Sequence, residues 1–333
     1  MRKVQTTGFY RRHKWWCAGI CLVLLMVLFQ LGRQVILPNE SQLRHDLHLA
    51  VQKKFLEAAE DLDRRMGIHP FGDPARFKDP VFRGRVILVH GLDDPGIMWK
   101  DLGPVLQKNR YQVLVMSYPN DQAISASSRF FFDCMRNLAR KDPGPVFVVA
   151  HSMGGLVTRD MLTRPDLDYT RMAAAGNVPA VRHLILLGTP NQGAHLARFR
   201  IVTEIRDQIH HLFFQDAHWL HCLLDGTGAA GVDLLPGSRF LRRLNQRPLP
   251  EDVRMTIIAG MICFSQQEGG IKEMLGDGLV SVNATQLRDV PVIRVPGTHF
   301  SMIRNLIRSS NRVPPAIPVI LGLLESSGGA PDQ

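Results

Sequence analysis

The chain has 333 residues, enough for one large α/β domain or two smaller ones, and its 45% hydrophobic content is that of an ordinary globular protein. The net charge of +10 invites a nucleic-acid partner. However, Arg2, Lys3, Arg11, Arg12 and Lys14 supply half of it before any acid appears, and no glycine loop, aromatic platform or zinc spacing accompanies the rest, so no nucleic-acid binding is expected. Five cysteines form no disulfide framework in a chain this long: Cys17 and Cys21 lie in an apolar run, and Cys134, Cys222 and Cys263 allow at most one bridge, such as Cys222–Cys263.

Taken in order, residues 1–14 form a basic tail. Trp15 to Leu31 is then a 17-residue apolar run broken only by Gln30, the short end of a membrane-spanning helix. The positive flank places the tail in the cytoplasm and sends the rest across, to the periplasm if the source is bacterial. A cleaved secretory signal is the competing reading, but no small-x-small cleavage site follows the run. Both readings put the main domain on the non-cytoplasmic side. Residues 32–84 read as an amphipathic helix and a proline-rich linker. Asn39 or Ser41 caps the helix and Gly67 stops it, and Leu43, Leu47, Val51, Phe55, Ala58, Leu62 and Met66 form one apolar stripe. Packing within the chain is the favoured use of that stripe, ahead of another chain or a lipid surface.

The main domain is expected over 85–325, with 326–333 a flexible tail. Apolar runs at 86–89, 112–116, 145–150, 182–187, 255–259 and 290–295 read as buried strands. Helical patterns at 98–107, 124–140 and 153–163 separate the first of them. Alternation at this spacing means a mostly parallel sheet with helices on both faces. An apolar insertion at about 193–250, including Ile201, Ile205, Ile209, Leu212, Phe213 and Trp219, reads as a cap or lid.

The chemistry centres on Ala150-His151-Ser152-Met153-Gly154. A β-branched strand runs into a tight turn and then a helix, with serine at the tip and small residues two before and two after it, to let the turn close. A serine hydroxyl needs a base to take its proton, and the base an orienting carboxylate. Asp277, flanked by Gly276 and Gly278 after the 255–259 strand, is the candidate acid, ahead of Glu273 and Asp289. His299, directly after the 290–295 strand, is the candidate base. His183 stands at the early end of its strand, and His195, His210, His211, His218 and His221 lie in the insertion. The main-chain N–H groups of Met153 and of Leu92, in His90-Gly91-Leu92, are candidate oxyanion donors. His211, His218 and His221 lack partners for a metal site, and no cofactor is expected.

Together His90-Gly91, Ala150-His151-Ser152-Met153-Gly154-Gly155, Gly188-Thr189-Pro190, Gly276-Asp277-Gly278 and Gly297-Thr298-His299 resemble the lipase branch of the α/β-hydrolases over roughly 85–310. The elbow is similar to that of bacterial triacylglycerol lipases and related membrane-associated deacylases, and Asp233-Leu234-Leu235-Pro236-Gly237-Ser238 resembles a segment of lipase caps. The resemblance implies an α/β-hydrolase fold and an acyl-enzyme formed on Ser152 with His299 and Asp277. The expectation is a membrane-anchored serine hydrolase of lipid or other acyl esters. Acyl transfer, amide or thioester cleavage, or a binding protein on the same scaffold are the alternatives. Nothing in the sequence gives the oligomeric state.

Overall fold

A computed structural model describes residues 66–72, 82–92, 97–120, 122–194, 229–262, 271–306 and 312–327. The chain divides into two units, Met1–Arg64 and Arg65–Gln333, and every described residue belongs to the second. The basic tail, the expected anchor at 15–31 and most of the amphipathic helix therefore lie outside the described residues. Among those described, no helix is long and apolar enough to cross a membrane.

Among the described residues, seven strands form one sheet: β1 (Gly67–Pro70), β2 (Gly84–Val89), β3 (Tyr111–Ser117), β4 (Val146–His151), β5 (Val181–Leu187), β6 (Arg254–Met261) and β7 (Val292–Pro296), in the order β1-β3-β2-β4-β5-β6-β7. All neighbours pair in parallel except β1, which runs antiparallel to β3. The six apolar runs correspond to β2 through β7. The four residues of β1 fall in the stretch read as linker, and the sheet thus begins earlier than the expected start at 85. Pro70 is tolerated there because β1 is an edge strand, paired on one side. Ile68 packs on one face of the sheet and Phe71, just beyond, on the other.

Helices cover both faces, so successive strand residues are buried on alternate sides. Ile87 and Val89 of β2 pack with α2 (Ile124–Lys141), α3 (Met153–Thr163) and α6 (Arg239–Gln246). Val86 and Leu88 pack on the other side against the 3₁₀ turn Ile97–Lys100, α1 (Leu102–Lys108) and α9 (Ala316–Ser327). All four are fully buried, each stabilising the fold by about 1.5–3 kcal/mol. The single helix expected at 98–107 is this turn followed by α1. The remaining helices are short: α4 (Tyr169–Ala174), α5 (Ala229–Asp233), α7 (Ile271–Leu275) and α8 (Val282–Thr285). Ser326 and Ser327, expected in a flexible tail, complete α9, and Ser327 Oγ bonds His183 Nδ1 at 2.8 Å.

Of the insertion at 193–250, residues 195–228 lie outside the described residues. The remainder is tied to the sheet domain. Asp233 Oδ2 accepts from the N–H of Ile124 at the start of α2 (3.0 Å); within the remainder itself, Ala194 N donates to Leu234 O (3.1 Å) and Ser238 caps α6 through Leu241 N (3.1 Å).

Candidate active site

Ser152 stands between β4 and α3 with φ 54° and ψ −126°, a conformation that costs a residue with a side chain on the order of 1–3 kcal/mol. The turn is held from both ends: Ser152 N donates to Leu187 O of β5 (2.8 Å), and Gly155 N donates to Ser152 O (3.1 Å). The helix leaves the turn hard against β2. A Cβ on Gly154 would stand 2.6 Å from Val89 O and would also strike His90 O. The need for a small residue two places after the serine thus comes from the neighbouring strand's carbonyls.

Asp277 and His299 meet in full burial, each 2% exposed. His299 Nδ1 lies 2.7 Å from Asp277 Oδ2, while Asp277 Oδ1 accepts from Leu279 N (2.9 Å) and Val280 N (2.8 Å). Because an ionised carboxylate only accepts, Nδ1 carries the proton and Nε2 is left with its lone pair. The two residues are also joined through the main chain, His299 N to Asp277 O at 2.9 Å. The glycines flanking the acid have φ 51° and 91°, which folds the turn so that the two following N–H groups reach the same carboxylate oxygen. Ser152 is brought toward this pair by its neighbour: His151 Nε2 donates to His299 O (3.0 Å), and the two imidazoles lie 4.5 Å apart. Among the described residues, no hydrogen bond yet joins Ser152 Oγ to His299 Nε2; such bonds commonly tighten only when substrate is bound.

The loop after β2 approaches the serine from the other side. A Cβ on Gly91 would lie 2.8 Å from Ser152 Cβ and 3.4 Å from Ser152 Oγ. Leu92 follows, half-buried, and Met153 is buried at the start of α3. Among the described residues, neither of these two main-chain N–H groups is taken up by a hydrogen bond.

A sequence profile of the Alpha/beta hydrolase family matches residues 86–305, more than half of the chain. The chain belongs to the alpha/beta hydrolase family. Solved structures of similar fold include the mature lipase BlEst2 of Bacillus licheniformis, at 20% identity and a TM-score of 0.51 over 77% of this chain and 96% of that one. The phospholipase PlaB of Legionella pneumophila, solved with thio-NAD, aligns at 18% identity and a TM-score of 0.52 over 73% of this chain and 59% of that one. No curated protein matches in sequence.

Of the other candidate residues of this hydrolase, those described take no part in these hydrogen bonds. Glu273 Oε1 is held by Arg294 through Nε (3.1 Å) and Nη2 (2.7 Å), and Asp289 is exposed. His183 is at the opposite end of the sheet. The histidines at 195, 210, 211, 218 and 221, and Cys222 and Cys263, lie outside the described residues. Among those described, no three His, Cys, Asp or Glu side chains converge as a metal site would require. Cys134 is a free, half-buried thiol whose pKa is raised to about 11, by burial and then by Asp133.

A polar layer beneath the site had no counterpart in the motifs. Fully buried Asp160 of α3 accepts from Ser128 Oγ (2.5 Å), Arg247 Nη1 (2.6 Å) and Arg164 Nη1 (3.3 Å). Buried Arg159 donates to Asn191 Oδ1 (2.9 Å) and Asn245 Oδ1 (3.1 Å), and burial, followed by the nearby Arg247, lowers its pKa to about 10. These bonds fasten α6 and the loop after β5 to the helix that carries the serine turn. The residues are far apart in sequence, so no local pattern announces them.

Proposed function

We propose that this hydrolase cleaves carboxylic esters, of lipid or other acyl type, through an acyl-enzyme on Ser152. His299 Nε2 takes the Ser152 proton as Oγ attacks the ester carbonyl, and Asp277 steadies the imidazolium that forms. The Leu92 and Met153 N–H groups stabilise the oxyanion. Collapse expels the alcohol, which receives the proton from His299, and water then repeats the cycle on the acyl-enzyme. The observation that carries this reading is the buried Asp277–His299 pair joined through His151 to the strained Ser152 turn. The lipid preference draws on the Ala150-His151-Ser152-Met153-Gly154-Gly155 elbow and on likeness in fold to a lipase and a phospholipase. The test is hydrolysis of p-nitrophenyl esters from C2 to C16 by the full chain in detergent. Ser152→Ala is expected to lower kcat by roughly 10³-fold or more. A folded variant as active as wild type would falsify the assignment. The chain-length profile separates lipase from short-chain esterase.

The same proposal keeps Trp15–Leu31 as a membrane anchor with residues 1–14 cytoplasmic, supported by the apolar run behind five basic residues. Release of the protein from membranes by alkaline carbonate would sink it.

A further inference from the structure

The geometry points to Tyr118 as a positioning residue for the oxyanion, acting through the main chain of His90 and Gly91. The inference rests on the hydrolase reading above and assigns a role to a residue outside the Ser152, His299 and Asp277 set.

β2 and β3 are parallel neighbours, with Val89 opposite Met116, so the loops that follow them run side by side. Tyr118, 3% exposed, donates its hydroxyl to His90 O at 2.7 Å. Its ring lies nearly flat on the His90 imidazole, with centroids 4.6 Å apart and planes 21° apart. Clamped in this way, His90 directs Nδ1–H onto Gly91 O at 2.8 Å, and Asn120 Nδ2 approaches the same oxygen at 3.4 Å. The loop of Tyr118 is itself held: Ser127 Oγ donates to Pro119 O (2.9 Å) and receives from Gln122 Nε2 (3.4 Å).

The consequence follows from the planarity of the peptide. The Gly91–Leu92 bond is trans, so its N–H points opposite to its C=O. Whatever fixes Gly91 O also fixes the direction of the Leu92 N–H, and Gly91 itself touches Ser152. Tyr118 and His90 hold the two carbonyls before this donor, and Asn120 adds to the second. A donor aimed before charge develops stabilises the transition state without reorganising during the reaction, whereas it adds little to binding of the uncharged ester.

The experiment compares full-length wild type with Tyr118→Phe and Asn120→Asp, reading kcat and KM on a p-nitrophenyl ester, inhibition by an alkylboronic acid, and Tm. The boronate adds to the serine as a tetrahedral anion and reports on the oxyanion donors. Tyr118→Phe keeps the ring on His90 and removes only the hydroxyl. It is expected to lower kcat about tenfold with KM unchanged, and to weaken boronate binding by the same factor. Asn120→Asp sets an oxygen against Gly91 O and is expected to show the same pattern; it decides the matter if Tyr118→Phe does not fold. Folded variants with wild-type kcat and boronate affinity overturn the inference, as does a fall in kcat with boronate affinity intact. A folded but inert wild type overturns the hydrolase reading together with this one. An active wild type with unchanged variants overturns this one alone.

Discussion

His299 and His183 are equally inaccessible, at 2% and 0% exposure, but they stand at opposite ends of the sheet. At the carboxyl end, His299 has its Nδ1 on a carboxylate, and its Nε2 lone pair is uncommitted among the described residues. At the amino end, both ring nitrogens of His183 are used. Ser327 spends its hydroxyl proton on Leu323 O (2.8 Å), so it accepts from His183 Nδ1 (2.8 Å), and Thr256 donates to Nε2 (2.9 Å). Burial, reinforced by Arg254, lowers the His183 pKa to about 4. Both histidines are buried and hydrogen-bonded, so burial does not separate them. The difference is that one is given an anion and an unfilled lone pair, and the other is fully satisfied as a neutral ring. The first arrangement suits proton transfer, and the second pins α9 to the sheet.

If this contrast holds, substitutions at the carboxyl end should change turnover and those at the amino end stability. The largest expected effect is from Asp277→Asn, which presents an amide to Nδ1 and favours the wrong tautomer. A loss on the order of 10⁴-fold in kcat is expected, with Tm moved little. Activity within tenfold of wild type would remove Asp277 from its assigned role. Gly188→Ala comes next. Gly188 has φ 52°, and a Cβ there would stand 3.0 Å from Asp277 Oδ2, 3.1 Å from His299 Nδ1 and 2.7 Å from Met302 Cε. This substitution should cross the divide, costing roughly 1–3 kcal/mol of stability and lowering kcat, measured by thermal melts and ester kinetics.

At the amino end, His183 gives a pH signature. The unfolded chain protonates this residue near pH 6.5, whereas the folded one resists until about 4. The unfolded state therefore binds more protons in that window, and stability is full above about 6.5 and is lost as pH falls toward 4. Melts of His183→Gln should lack this part of the acid limb while ester turnover at neutral pH is kept; an unchanged slope would mean that another group controls it. The smallest effect is expected from Asp142→Ala. The exposed Asp142 carboxylate pairs with buried Arg85, which is also held by Gln112 Oε1 (3.0 Å) and Asp142 O (3.1 Å). Because both of these acceptors survive the substitution and the lost carboxylate faces solvent, the loss should be on the order of 1 kcal/mol in denaturant titrations.

The strands buried on both faces were legible because Val86–Val89 and Val146–Ala150 leave no polar face to confuse the pattern. β1 was not, since a four-residue edge strand ending in Pro70 looks like linker until β3 is there to pair with it. The meeting of Asp277 with His299 was legible from glycines around the acid and from the strand ends that precede both residues. His151 stood inside the motif, yet its bond to His299 O depends on how β4 and the loop after β7 converge. Tyr118 and the Arg159–Asn191–Asn245 layer are tertiary in the same sense: each joins segments that periodicity treats separately.

The bond from His151 to His299 O has one more implication. It ties the side chain of the serine's neighbour to the backbone of the histidine loop, so that displacing either one strains the other. A ligand or partner that throttles this hydrolase is therefore expected to act as a doorkeeper, governing entry and exit, rather than by prising the serine turn from the histidine loop.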